Sequence, residues 1–294
     1  MGTLLAFSVS SFMTIEQLST LYLTNHLVRR SSFDTTKRLL RNTFGRLERF
    51  SVDELPPQTV LEWHTSLSGT PYQANRALGV LRSMIRWGIR LQLCKIDPTH
   101  GVRRFPVSSR SRFMNTEEVI RLIKSLETAA ENIRMFVLIV LSTGCRRSEA
   151  RNIKWSDVDL THRRWTKPRT KNGNWHVVPL PNQIITALRL YPQEGPWIFT
   201  GKEGRPWSVA GIEKAWGNVR KSCNLTDVRI HDLRRTAASH MAINGENLST
   251  IQKMLDHSSL QATAIYARLN IDALDGALQR NADRFFSPEV TPAC

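Results

Sequence analysis

Apolar residues along this chain recur mostly at helical spacing. From residue 33 to 50 and again from residue 73 to 91, an apolar arc of the helical wheel lies opposite an arc of basic residues. The apolar positions are Leu39, Leu40, Phe44, Leu47 and Phe50 in the first segment and Leu78, Leu81, Met84 and Ile85 in the second. The pattern therefore predicts two amphipathic helices, each with one face buried in a core.

Nearly all the charged residues on the polar faces of these two helices are basic. A charged helix face is often only solvated surface, but such a face ordinarily interleaves Glu with Lys. One-signed faces favour contact with a polyanion. We therefore predict that a nucleic-acid backbone is contacted by Lys37, Arg38, Arg41, Arg49, Arg76, Arg82, Arg86 and Arg90.

The helical pattern stops between residues 97 and 114, where Pro, Ser and Arg become frequent. We place a basic linker at 106–114, whose Arg110 and Arg112 are further candidates for phosphate contact. It separates a helical domain, 13–105, from a second domain, 115–294.

Residues that cap helices mark the beginning of both domains. Asn115 with Glu118, and Thr14 with Gln17, have the spacing of a helix N-cap and its reciprocal partner. Because Met13-Thr14 is the more natural start, we expect residues 1–12 to be disordered or a non-native start.

The second domain changes periodicity twice. Helical spacing runs to about residue 152, alternation predicts strands at 154–159, 162–167 and 175–180, and helical spacing then resumes. Asn172-Gly173 predicts a hairpin turn between the last two strands. Capping boxes are expected from Ser249 to Gln252 and from Ser258 to Gln261, the second beginning a helix that carries Tyr266. The predicted fold is mainly α with a small antiparallel sheet, an α+β class.

Composition narrows the choice of partner. The 294 residues include 41 Lys and Arg against 25 Asp and Glu, a formal net charge of +16. Such an excess favours nucleic acid, because each phosphate that is neutralised releases condensed counterions. No apolar stretch approaches the roughly 18 residues that span a bilayer, so we expect no membrane partner and a cytoplasmic location. The four cysteines lack metal-site spacing, and no metal is expected.

A tyrosine can break a phosphodiester only with help from neighbouring groups. Its phenol has a pKa near 10, so about one molecule in a thousand is phenolate at pH 7. The site must take up the phenol's proton or offset its charge. Paired guanidiniums suit the negative charge that gathers on the non-bridging phosphate oxygens.

Three segments hold residues of these types: Thr143–Glu149, His231–Arg235 and Leu255–Tyr266. They resemble the T-G-x-R-x-x-E, H-x-L-R-[HR] and L-G-H motifs of the tyrosine recombinase (phage integrase) family, with the tyrosine at the family spacing. The resemblance covers residues 115–281 well. The first hundred residues are similar to the family only in being helical, basic and of suitable size.

The resemblance implies a role for each catalytic candidate. Arg146, Arg234 and His257 would hold the phosphate, Tyr266 would be the nucleophile, and His231 would act as acid or base or position Tyr266. Lys171, directly before Asn172-Gly173, would protonate the leaving oxygen, with Lys167 a weaker candidate. Glu149 would orient its neighbours.

The sequence departs from the family motifs at two informative positions. Asp256 replaces a glycine, which alters the turn or places a carboxylate near His257. Arg147 leaves open which arginine of the pair reaches the phosphate, although the motif register favours Arg146.

Each motif alone has an ordinary explanation. Arg146 and Arg147 could be helix-surface charge, Lys171 a residue of an exposed turn, and Tyr266 part of an amphipathic helix. Together, in this order and in a basic protein, they favour the functional interpretation.

The family resemblance implies a site-specific recombinase without a cofactor. It would cleave double-stranded DNA at inverted-repeat core sites through a 3′-phosphotyrosine, as a homotetramer on two duplexes passing through a Holliday junction. The helical domain would be a core-binding domain that forms a C-shaped clamp with the catalytic domain. A C-terminal helix carrying Ile271, Leu274 and Leu278 would dock on a neighbouring protomer. A mobile element is the expected source, with a bending or directionality protein as a possible accessory.

Two other functions share this scaffold. A type IB topoisomerase uses similar chemistry as a monomer, but the short N-terminal domain and the helix after Tyr266 favour a recombinase. A catalytically inert DNA-binding regulator need not keep the complete catalytic set. An RNA-binding protein is disfavoured because no aromatic-rich sheet motif is present.

Overall fold

The computed structural model describes residues 13–28, 32–108, 110–167, 175–269 and 271–286. The chain divides into two compact units, Met1–Arg110 and Ser111–Cys294. The division falls inside the predicted linker, whereas residues 1–12 lie outside the described part of the chain. None of the described helices is long and apolar enough to cross a membrane.

The first unit consists of helices packed around one apolar core. It contains α1 (Ile15–Leu21, followed by a π-helical turn, Tyr22–Leu27), α2 (Phe33–Thr43), α3 (Pro57–Ser66) and α4 (Pro71–Arg90). The α1 cap has the predicted form, since Thr14 and Gln17 each accept a hydrogen bond from the other's backbone amide. The predicted buried face of α4 is confirmed: its four apolar positions are fully buried.

The predicted helix over 33–50 is wrong in its second half. The helix ends at Thr43, whose carbonyl accepts a hydrogen bond from the Trp63 indole (2.6 Å), and Gly45 follows in a turn. Glycine disfavours helix continuation by about 1 kcal/mol relative to alanine. Phe44 and Leu47 are buried as predicted, but Phe50 is 39% exposed.

The second unit surrounds a larger apolar core. Its helices before the sheet are α5 (Thr116–Leu126), α6 (Glu131–Thr143) and α7 (Arg147–Arg151). After the sheet come α8 (Asn182–Leu190), α9 (Val209–Ser222), α10 (Ile230–Ile243), α11 (Leu248–Leu255) and α12 (Ile271–Phe286). The Asn115–Glu118 capping box is present. The mainly helical fold class with a small antiparallel sheet is confirmed.

Three short strands form the described sheet in the order β1-β2-β3, all antiparallel: β1 (Val158–Asp159), β2 (Arg164–Lys167) and β3 (His176–Pro179). In the β2–β3 register, Lys167 is paired with His176. The predicted strand at 154–159 is mostly wrong, because Trp155–Asp157 forms a 3₁₀ turn in which the Asp157 carboxylate caps the Lys154 amide. The predicted turn at Asn172-Gly173 lies outside the described residues.

Both predicted capping boxes near the C-terminus are wrong. Helix α11 is capped by Asn247, whose side chain accepts a hydrogen bond from the Thr250 amide (2.8 Å), rather than by Ser249. No helix begins at Ser258; Leu260–Ala262 and Ala264–Leu269 are 3₁₀ turns instead. The Tyr266 amide bonds three residues back to Thr263 (3.0 Å), which is the tighter 3₁₀ pattern.

Candidate active site

Arg234 joins the three sequence motifs in space. It lies in the first turns of α10 and is only 4% exposed. Its guanidinium donates to the carbonyls of Gly144 and Leu255, at 2.6 Å each. Gly144 ends α6 with φ +61, a left-handed conformation that glycine adopts without strain. The ends of α6 and α11 and the beginning of α10 therefore meet at one guanidinium.

Arg146 and Arg147 point to different neighbours. The Arg146 guanidinium donates to Glu149 (2.6 Å), to the Asp256 carboxylate (3.4 Å) and to the Asp256 carbonyl (3.2 Å). Arg147 instead pairs with Glu213 on α9. Since Asp256 directly follows the α11 residue that binds Arg234, the structure brings Arg146 beside Arg234.

Glu149 connects Arg146 to a buried lysine. Lys167, on β2, is 2% exposed and donates to the Glu149 carboxylate at 2.8 Å, with its ammonium over the Trp165 ring. Burial favours the neutral acid, but the charge of Lys167 and the hydrogen bonds from Lys167 and Arg146 lower the pKa of Glu149 to about 2. Glu149 is thus a fixed anion that orients two cations. Lys171, the stronger lysine candidate, lies outside the described residues.

The two candidate histidines lie close to these arginines. His231 begins α10 and is exposed, whereas His257 is half-buried and its Nδ1 lies 3.0 Å from the Thr263 hydroxyl. Partial removal of the rings from water by the surrounding protein, together with the charge of Arg234, lowers the pKa of both imidazoles, and for the more exposed His231 the effect is the more strongly screened. Both rings therefore favour the neutral form, in which one ring nitrogen can accept a proton.

Tyr266 is 5% exposed and belongs to a small apolar cluster with residues of α10 and α11. Burial raises the pKa of its phenol, although the nearby charges of Arg234 and Arg235 act in the opposite direction. The structure therefore places the phenol within electrostatic reach of Arg234, in its protonated form.

The residues predicted to contact DNA fall into two groups, those exposed to solvent and those bound by other groups of the protein. Exposed positions on the first unit are Lys37, Arg38, Arg41, Arg49, Arg76, Arg86 and Arg90, and Arg110 is half-buried. Arg82 is half-buried and donates to the carbonyls of Thr99 and Val102. Arg112 is held by the carboxylates of Glu118 and Asp227. These two arginines are already bound within their own units, which gives each of them a structural role that sequence reasoning did not anticipate.

Sequence reasoning also missed His176. It is the cross-strand partner of Lys167, and its Nδ1 is buried without a hydrogen-bond partner among the described residues. Burial and the charge of Lys167 lower its pKa. The pairing could have been found only from the strand register. Across the described ranges, no group of His, Cys, Asp and Glu is arranged to hold a metal ion.

The region that matches a known protein family includes all three motifs. Residues 112–272, more than half of the chain, match the model of the phage integrase family. This chain belongs to the phage integrase family of tyrosine recombinases. As a member it is a tyrosine-type site-specific DNA recombinase, so the sequence prediction of the family is confirmed.

Other members of the family resemble this recombinase over different lengths. Tyrosine recombinase XerD of Rhizobium meliloti is 29% identical over 273 residues, covering 84% of this chain and 86% of XerD. Tyrosine recombinase XerA of Pyrococcus furiosus is 27% identical over 57% of this chain and 60% of XerA.

Solved structures show the same fold at low sequence identity. The Tn1549 transposon integrase in complex with a circular intermediate DNA matches with a TM-score of 0.76 at 16% identity, covering 91% of this chain and 99% of that one. A lambda integrase dimer bound to a COC′ core site matches with a TM-score of 0.74 at 15% identity, covering 86% of this recombinase and 95% of that chain.

Proposed function

We propose that this recombinase cleaves and rejoins DNA strands through a covalent 3′-phosphotyrosine at Tyr266. The observation that carries the proposal is the position of Arg234, which is hydrogen-bonded to the ends of both other motifs and electrostatically coupled to Tyr266. One phosphate beside Arg234 would therefore be within reach of residues from all three motifs.

We assign each candidate residue a role in the cleavage reaction. The Tyr266 oxygen attacks the phosphorus, and a phosphotyrosine bond forms as the bond to the 5′-oxygen breaks. Arg146 and Arg234 neutralise and bind the non-bridging oxygens, and the neutral His257 ring donates a hydrogen bond to one of them. The neutral His231 ring accepts the phenolic proton, and Lys171 supplies a proton to the leaving 5′-oxygen. The phosphotyrosine ester retains the energy of the phosphodiester bond that was broken. Attack on it by a 5′-hydroxyl therefore rejoins a strand without ATP.

The proposed assembly is supported by the family resemblance and by the exposed apolar residues of α12. We propose a homotetramer on two duplexes with inverted-repeat core sites, which exchanges strands through a Holliday junction. Helix α12 supports this proposal, since Leu278, Phe285 and Phe286 are all more than half exposed and available to a neighbouring protomer. A protein truncated after Leu269 would bind one site as a single protomer but assemble poorly.

The exposed basic residues of the first unit support contact with a DNA backbone. We propose that the two units bind opposite sides of a duplex and form a C-shaped clamp. The match to a transposon integrase supports a mobile-element source, with a bending or directionality protein as a further participant.

The direct test uses nicked suicide duplexes made from the DNA that flanks the gene. The wild-type protein should form a covalent adduct on a denaturing gel, and Tyr266→Phe should abolish it. Arg147→Gln is the matched control for Arg146→Gln, and only the Arg146 variant should lose adduct strongly. An adduct that persists in Tyr266→Phe would overturn the choice of nucleophile. Salt-sensitive DNA binding without any adduct would favour an inert DNA-binding protein.

A further inference from the structure

Asp256 occupies an unusual position beside the candidate active site. It terminates α11 with φ +50 and ψ +48, in the left-handed region, where glycine is free of strain and most side chains are not. The backbone conformation at this position does not require a carboxylate side chain.

The Asp256 carboxylate lies on the guanidinium of Arg146. Its Oδ2 is 3.4 Å from Nη1, and the Asp256 carbonyl oxygen is 3.2 Å from Nη2. Nη1 therefore donates to two carboxylates at once, those of Glu149 and Asp256. Among the described residues, Arg146 is the one hydrogen-bond partner of the Asp256 carboxylate.

The two carboxylates are held with different firmness. Glu149 lies 2.6 Å from Arg146 and also accepts hydrogen bonds from the Lys167 ammonium and from the Arg146 amide. Asp256 has only the longer contact, so it is the carboxylate that can leave.

We propose that Asp256 is an internal stand-in for the scissile phosphate. Its carboxylate holds one edge of the Arg146 guanidinium in the free enzyme, and an incoming phosphate must displace it. This inference rests on the proposed role of Arg146 as a phosphate ligand. Asp256 is thus a positioning residue that weakens phosphate binding and makes occupancy of the site depend on a well-placed phosphodiester.

The first test measures binding of inorganic phosphate to the full chain at low ionic strength, by thermal shift. Asp256→Asn removes the charge but keeps a residue that tolerates the left-handed conformation and keeps the carbonyl contact. We expect the half-saturating phosphate concentration to fall about fivefold, the effect of a partly exposed charge pair. Equal or weaker phosphate binding by Asp256→Asn overturns the proposal.

Glu213→Gln provides the matched control. It removes one carboxylate from the neighbouring Arg147 in the same unit, so it changes the net charge equally without touching Arg146. Phosphate affinity should be unchanged in Glu213→Gln. An equal gain in both variants would show a general charge effect and would also overturn the proposal. If Asp256→Asn does not fold, Asp256→Gly removes the same carboxylate and relieves the backbone.

The second test separates this inference from the proposed function. With the nicked duplexes, Asp256→Asn should raise the adduct rate several-fold at subsaturating DNA and leave the rate at saturating DNA nearly unchanged. A lower rate at saturation would mean that Asp256 assists catalysis, against the proposal. If the wild-type protein forms no adduct, the proposed function fails, while the phosphate measurement still decides the role of Asp256.

Discussion

Glu149 holds its place through ionic contacts on two sides. On one side it binds Arg146, which is partly exposed; on the other it binds Lys167, which is almost fully buried. A buried ammonium without a counterion is costly, so the carboxylate stabilises the unit as well as orienting the arginine. The consequence is a direct link between the free energy of unfolding and the geometry of the candidate site.

Glu149→Gln should lower the free energy of unfolding by about 3 kcal/mol at pH 7, because it leaves Lys167 buried without a carboxylate. Denaturation in urea would measure the change. Glu213→Gln, which breaks the exposed pair with Arg147, is the control and should cost less than about 1 kcal/mol. The double variant Glu149→Gln/Lys167→Met should be more stable than Glu149→Gln alone; equal stability would exclude the buried ion pair as the cause.

The Glu149 effect should depend on pH in one direction. Its pKa is lowered from an ordinary 4.5 to about 2, so its contribution is complete above the unfolded-state pKa and is lost as pH falls through this interval. The difference in unfolding free energy between wild type and Glu149→Gln should therefore be constant from pH 7 to 5 and shrink toward pH 2. A difference that grew on acidification would contradict this assignment.

At the residue scale, the structure gives the two neighbouring arginines different partners. The sequence favours Arg146 over Arg147 as the phosphate ligand, which stays a prediction; Arg146 lies beside Arg234, whereas Arg147 pairs with Glu213. The contact between Arg146 and Asp256 joins residues that are 110 positions apart, and no local pattern encodes that distance. Likewise, alternation along β2 puts Lys167 on the face of Trp165, but its partner Glu149 depends on tertiary packing.

At the element scale, the caps of α11 control where the third motif begins. Helix α11 leads directly into Asp256 and His257, so a shift in its first turn would move both residues. Asn247 caps the helix, whereas the Ser249 hydroxyl donates to the Asn247 side chain.

Asn247→Ala should lower the free energy of unfolding by about 1 kcal/mol, the usual value of an N-cap. Ser249→Ala is the matched control and should cost less, because it leaves the amide of Thr250 capped. Thermal denaturation of both variants would measure the difference. A larger loss from Ser249→Ala would restore the capping box predicted from the sequence.

Errors in the predicted elements have a common physical cause. Helix α2 ends early because a distant indole, Trp63, takes the Thr43 carbonyl, and the strand at 154–159 is shortened because Asp157 caps Lys154. Side-chain hydrogen bonds to the backbone compete with regular structure, and periodicity does not register them. Long, strongly periodic segments such as α4 were predicted well, since burial of a whole face outweighs single contacts.

At the scale of the whole molecule, net charge alone does not tell which arginines of the first unit are available to bind DNA. The surroundings of each arginine distinguish them. Arg41 is exposed on α2, whereas the Arg82 guanidinium is bound by two backbone carbonyls near the end of the unit. Sequence places both on basic helix faces, and only packing distinguishes them.

Arg41→Gln should weaken DNA binding about equally for all sequences and reduce the salt slope by about 1, as expected for one lost phosphate contact. Arg82→Gln should instead lower the free energy of unfolding by about 1–2 kcal/mol, because two carbonyls lose a charged donor. Its salt slope should match the wild type. Binding titrations at several salt concentrations, with urea denaturation alongside, distinguish the two; a reduced slope in Arg82→Gln would contradict its structural role.

The burial of Tyr266 bears on whether the protein can cleave DNA that is not its target. A protein of this charge is expected to bind DNA of any sequence as well as its target. In the structure Tyr266 is enclosed by residues of α10 and α11, and burial raises the pKa of its phenol. With Tyr266 as the proposed nucleophile, we expect strand breakage to require a complex that uncovers this side chain, so that DNA bound without a target site would stay intact.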